Sequence, residues 1–239
     1  MLRPQSAVIA VILCTGSFGC SKKVPECNAL VKQLNDSSAA MQAATTTLMS
    51  NQKQPKDAMD KFAATTKAET EKLAKVELSI PELQGFSKNY QALLNETVTA
   101  AQAIAKANGD SESIQQAVSK SQTSWMGAMS QLALACKKAR KDCAAIDKTA
   151  PPTVTGVRPA DEAKKLDDYA KSIASVDVKS PDAKAAVDAM KKGVGEFADA
   201  LRKAATVQQD VEKATKSMTE AGNKEPALVK SINDFCQAG

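Results

Sequence analysis

Long stretches of this chain carry apolar residues at three- and four-residue spacing with little to interrupt them. That periodicity is the signature of α-helices buried along one face. Ten glycines and nine prolines punctuate 239 residues. About one residue in six is alanine, the strongest helix former. The expectation is an all-α protein, an elongated antiparallel helical bundle.

The stripes divide into segments. The first carries Cys27, Leu30, Leu34, Met41 and Leu48. A second follows Pro55 with Met59, Phe62, Leu73 and Val76. A third opens at Pro81, a favoured first-turn residue, and is predicted to stop at Asn108-Gly109. A fourth starts at Asp110 or Ser111, runs through Trp125 and Cys136, and is predicted to continue past Cys143. Residues 151–159 form a Pro-rich linker. Helical pattern resumes at Ala163, and a second long helix opens at Pro181. Gly222 and Pro226 are predicted to break it, leaving a short last helix with Val229, Ile232, Phe235 and Cys236.

A shift of 100 residues aligns the chain with itself. Val76-Glu77-Leu78 falls on Val176-Asp177-Val178, Pro81 on Pro181, Asp110 on Asp210 and Cys136 on Cys236. These rarer residues carry the correspondence, which predicts two duplicated helical units. Unit one is expected over 27–142 and a shortened unit two over 143–239. Cys27 to Val76 is 49 residues and Cys143 to Val176 is 33. The shortfall is about four helical turns. The first helix of unit two is therefore expected to be lost, or reduced to a stub around Ile146, unless the fourth helix runs on and fills its place.

Residues 1–19 read as a signal peptide, with Arg3 followed by the apolar run Ala7–Cys14. Eight apolar residues fall far short of the ~20 needed to span a bilayer. The segment ends Ser17-Phe18-Gly19-Cys20. This resembles the lipobox of bacterial lipoproteins, with a small residue before the cysteine that becomes lipidated. Ser17 and Phe18 depart from the usual residues of that box. Ser17-x-Gly19 also suits an ordinary secretory peptidase cutting the same bond, which leaves simple secretion open. The resemblance implies lipidation at Cys20 and a place in the bacterial cell envelope, anchored to the outer membrane. Residues 20–26 would then be a short tether, with Lys22 and Lys23 beside the membrane.

Cleavage leaves five cysteines, an odd number for an exported chain. Lipidating Cys20 leaves Cys27, Cys136, Cys143 and Cys236 to form disulfides. On one helix Cys136 and Cys143 would stand ~10.5 Å apart, too far for a bridge. If each unit closes on itself, Cys27 pairs with Cys136 and Cys143 with Cys236. The other open pairing joins Cys27 to Cys143 and Cys136 to Cys236.

Composition excludes several activities. There is no histidine, which removes Ser-His-Asp and Cys-His catalysis and every His-ligated metal. Aromatics make up 3%, too few for single-strand recognition by stacking. The mature chain has 31 basic and 27 acidic residues, a charge of +4 interleaved along helices, so no nucleic-acid partner is expected. Asp161-Glu162 and Asp167-Asp168 are carboxylate pairs at a helix start and on its exposed face. Ser50-x-x-Lys53 has the spacing of a nucleophile pair without the other elements of that class. Gly193-x-Gly195, inside a helical pattern, suits a close helix contact. Trp125 fits a core stripe. No enzyme, cofactor or metal is expected. The stretch Leu228–Cys236 resembles helical Cys-to-Cys domains of uncharacterised bacterial lipoproteins, which bring no activity with them. The leading functional expectation is a non-enzymatic envelope scaffold or protein-interaction module, with an unidentified envelope protein as partner. The alternative is a carrier of an apolar ligand within the bundle, which calls for an apolar pocket of several hundred Å³.

Overall fold

The computed structural model describes residues 22–50, 55–138, 143–144, 146 and 149–238. They form an all-α helical bundle protein with five long helices among the described residues. These are α1 (Lys23–Ser50), α2 (Pro55–Ala74), α3 (Pro81–Lys138), α4 (Pro159–Ala174) and α5 (Pro181–Gln237). Four of the five open on proline, whose missing N–H costs nothing in the first turn and whose fixed φ suits a helix start.

Two expected helix ends are overturned. Helix α3 continues through Asn108-Gly109, and α5 continues through Gly222 and Pro226. A glycine inside a helix costs about 1 kcal/mol and a proline about 3. Burial on both sides offsets these local costs. Ala101, Ile104 and Ala105 precede Asn108, and Trp125, Ala128 and Leu132 follow it, all buried. Val229 and Ile232 are buried beyond Pro226, and Cys236 is disulfide-bonded.

The helices gather into two compact units whose boundaries differ from the expected break at residue 142. One takes the described residues up to Asn108 together with those from Asp210, and the other is Gly109–Gln209. Unit 1 thus holds α1, α2, the first half of α3 and the second half of α5. Unit 2 holds the second half of α3, α4 and the first half of α5.

This exchange of helical halves also corrects the cysteine pairing. The bridges are Cys27–Cys236 and Cys136–Cys143, neither of the expected sets. The expectation assumed that each half of the sequence closes on itself. Because α3 does not turn back at Gly109, its Cys136 end lies in unit 2, and the Cys236 end of α5 lies in unit 1. Each bridge holds the last turn of a long helix, Cys236 of α5 and Cys136 of α3. The Cα atoms of Cys136 and Cys143 stand 5.3 Å apart. The ~10.5 Å of a straight helix is thereby ruled out between them.

The interval of 100 residues is visible in the burial pattern. Residues 71–80 and 171–180 have the same order of buried, half-buried and exposed positions and the same helix-to-turn pattern. Val76 N donates to Leu73 O and Val176 N to Ile173 O, both at 3.2 Å. Cys27 and Leu30 are buried at the start of unit 1, and Cys143 and Ile146 are buried with the same spacing in unit 2. The unit 2 stub is wound by tight turns, Ile146 N to Cys143 O and Thr149 N to Ile146 O, both 2.8 Å.

The interiors differ in polarity. Among the described residues unit 2 has one continuous apolar cluster running from Trp125 to Leu201. Unit 1 has two, one around the Cys27–Cys236 bridge and one around Phe62, Ile104 and Met218. Between them along the helices lie buried Ser37, Thr66, Glu69, Thr70 and Thr97. The carboxylate of Glu69 accepts hydrogen bonds from Ser37 Oγ (3.1 Å), Gln33 Nε2 (3.3 Å) and Lys72 Nζ (2.6 Å). Each threonine donates to a carbonyl one turn earlier in its own helix. The counterparts of Thr66, Glu69, Thr70 and Thr97 in unit 2 are Leu166, Tyr169, Ala170 and Phe197.

Candidate functional site

The signal segment 1–19 and Cys20 lie outside the described residues. The expected tether through residue 26 is corrected, because α1 already begins at Lys23. Lys23 Nζ lies over the Phe235 ring, 4.5 Å from its centroid, so this lysine is engaged with the fold. Lys22 is exposed. Glu26 ties the same corner together, accepting from Ser79 N (2.8 Å), Ile80 N (3.0 Å) and the Ser79 hydroxyl. The Ser79 hydroxyl and these two amides outweigh desolvation and hold the Glu26 carboxyl below the usual carboxylate range.

The carboxylate pairs serve the fold. Asp161 is exposed, but Glu162 is buried rather than on an exposed face. It clamps the segment before α4, accepting from Thr155 N (3.0 Å), Thr155 Oγ1 (2.7 Å) and Gly156 N (2.8 Å). Gly156 there has φ 78°, a left-handed turn that glycine adopts without strain. Burial pushes the Glu162 carboxyl up, but the hydrogen bonds outweigh it and the net shift is downward. Both carboxylate oxygens of Asp167 accept from Arg202 Nη2 (2.7 and 2.6 Å), while Arg202 Nη1 donates to Asp199, and Asp168 sits 3.8 Å from Lys171. Ser50 Oγ donates to Thr47 O, and Lys53 lies outside the described residues. Among the described residues no group of His, Cys, Asp and Glu is placed to hold a metal ion.

Trp125 is a core residue, stacked on Phe197 with centroids 5.4 Å apart. Its Nε1 is buried without a hydrogen-bond partner. Helix α5 crosses α3 closely here. A Cβ at Gly193 would stand 3.1 Å from Trp125 Cα, whereas one at Gly195 would meet open space. The close contact expected of that glycine pair belongs to Gly193 alone.

Among the described residues a groove of about 480 Å³ in unit 2 could receive something. Leu201 and Pro159 are its most buried members, with half-buried Ile114, Val118, Ala204 and Val207 around them. Exposed Gln115 and Gln208 stand at its edge, and none of its lining residues is charged. The second half of α3, the start of α4 and the first half of α5 supply it. The sequence carried one sign of it, the shortfall between Cys143 and Val176. No spacing of polar residues marks it.

The chain matches no protein-family model, no curated protein and no solved structure. Among the described residues no helix is long and apolar enough to cross a membrane.

Proposed function

We propose that this protein is a non-enzymatic cell-envelope lipoprotein acting as a helical scaffold or protein-interaction module. The observation that carries the reading is the pair of disulfides, one in each helical unit. Structural disulfides persist in oxidising compartments, which fits export through the apolar N-terminal segment. Pairing Cys27, Cys136, Cys143 and Cys236 leaves Cys20 as the cysteine of the mature chain outside these two bridges, at the position where the lipobox resemblance places the acyl group. With α1 starting at Lys23, only three residue steps separate that anchor from the fold, at most about 10 Å of extended chain. The α1 end of unit 1 would stand against the membrane surface, with Lys22 exposed to face anionic head groups. The open, partly polar groove in unit 2 suits a partner better than an apolar cargo enclosed within the bundle.

The test is the anchor. Cys20→Ser should move the mature protein from the membrane fraction to the soluble fraction or block its processing. An unmodified Cys20 thiol in the mass spectrum of the mature protein would end the lipoprotein reading.

A further inference from the structure

The groove in unit 2 has a counterpart in unit 1, and there it is covered. Offset by 100 residues, Ile114, Val118, Leu201, Ala204 and Pro159 correspond to Ala214, Met218, Ala101, Ile104 and Met59. All five counterparts belong to a single apolar cluster of unit 1. The remaining helix in that cluster is α1, which packs Ala44 against it. Among the described residues unit 2 repeats only the first turn of that helix, in Cys143 and Ile146, and the described residues 149–158 that follow form no helix corresponding to the rest of α1. The chain between the matched landmarks is shorter by 16 residues, 33 against 49, which is about 24 Å of helix. The groove is therefore a helix seat without its helix.

We propose that unit 2 binds one amphipathic α-helix of a partner protein in this groove, in the place that α1 occupies in unit 1. This rests on the interaction-module reading and names its site and ligand class. The chemistry of the occupant follows from both sides of the covered counterpart. Residues 37–50 of α1 contain no acidic or basic residue, and neither does the groove lining. A charged side chain pressed into such a seat would be desolvated without a partner. The fitting helix is about four turns long, uncharged on its buried face, and presents small and medium apolar groups at i, i+3 and i+7. Met41, Ala44 and Leu48 of α1 show this spacing. Val157, between lining positions Gly156 and Pro159 in sequence, is 72% exposed and extends the apolar surface at the edge. This is helix-in-groove recognition, with affinity drawn from apolar burial and selectivity from the spacing of the anchors.

The probe is a synthetic peptide of residues 37–50, locked as a helix by a staple on its outer face. It is titrated into the full mature protein carrying ¹³C-methyl labels. Saturable shifts are expected at the methyls of Ile114, Val118 and Val207. A peptide with Ala44→Lys and Leu48→Lys should bind at least tenfold more weakly, and filling the groove with Ala204→Trp should weaken the parent peptide at least tenfold. The peptide pair keeps the test decisive should the Ala204→Trp protein fail to fold. Absence of saturable shifts at millimolar peptide overturns the proposal, as do equal shifts from the lysine peptide. Perturbation of the same methyls by protein concentration alone assigns the groove to a second copy and also overturns it. Perturbation by phospholipid micelles but not by peptide assigns it to lipid, with the same consequence. Release from membranes by Cys20→Ser is read separately, so loss of the groove proposal and loss of the lipoprotein reading are distinguishable.

Discussion

Replacing Cys27 and Cys236 together by serine should cost about twice as much stability as replacing Cys136 and Cys143. A disulfide acts chiefly by restricting the unfolded chain, and in the loop-closure model its effect grows with the logarithm of loop length. The first bridge spans 209 residues and the second spans 7. Those spans correspond to about 5 and about 2.4 kcal/mol at 25 °C. The assay is equilibrium urea unfolding of the mature protein and both serine pairs, followed by far-UV circular dichroism and by tryptophan fluorescence. Trp125 is the only tryptophan and lies in unit 2, so fluorescence reads that unit while dichroism reads both. Removing the short bridge should shift the fluorescence transition. Removing the long one should lower the dichroism-detected free energy by the larger amount. Equal costs, or a greater cost for the short bridge, would refute the loop-entropy reasoning. A Cys27–Cys136 peptide in a non-reducing digest would refute the pairing itself.

Gly193→Ala should destabilise by about 1–3 kcal/mol in the same unfolding assay, since its Cβ would press on the Trp125 backbone. Gly195→Ala, facing open space, should instead stabilise by up to about 1 kcal/mol. Ala107→Trp should be disruptive because Ala107 is 5% exposed, whereas Val207→Trp beside the groove should stay within about 0.5 kcal/mol of the parent. Thermal scans of the two variants compare them directly. Glu26 and Glu162 have lowered pKa values in the folded state, so the stability they contribute is present above the ordinary carboxylate pKa. It is lost as pH falls through the lowered values. Glu162→Gln should cost about 1–3 kcal/mol at neutral pH and flatten the acid limb of a stability-versus-pH curve. An unchanged acid limb would show that the clamp on Thr155 and Gly156 contributes nothing.

Local chemistry in the sequence was enough for some features. Apolar spacing with few breakers dictated helices, and Pro55, Pro81 and Pro181 marked three of their starts. The matched residues around Val76 and Val176 placed two equivalent turns, and the short interval after Cys143 foretold the stub at Ile146. These features depend on a residue and its near neighbours, so they can be read one segment at a time. Only tertiary structure decided whether α3 would stop at Gly109 and α5 at Pro226. A local penalty of about 1–3 kcal/mol is outweighed when both flanks bury Ile104, Trp125, Val229 and Ile232. That continuity then decided which long helix ends beside each first segment, and so which cysteines meet. It also exchanged helical halves between the units, which no local residue announces. The groove arose the same way. Its walls come from stretches around residues 114, 159 and 204 that are far apart in sequence, and the matching cluster of unit 1 has α1 packed on it through Ala44, with no matching helix among the described residues of unit 2.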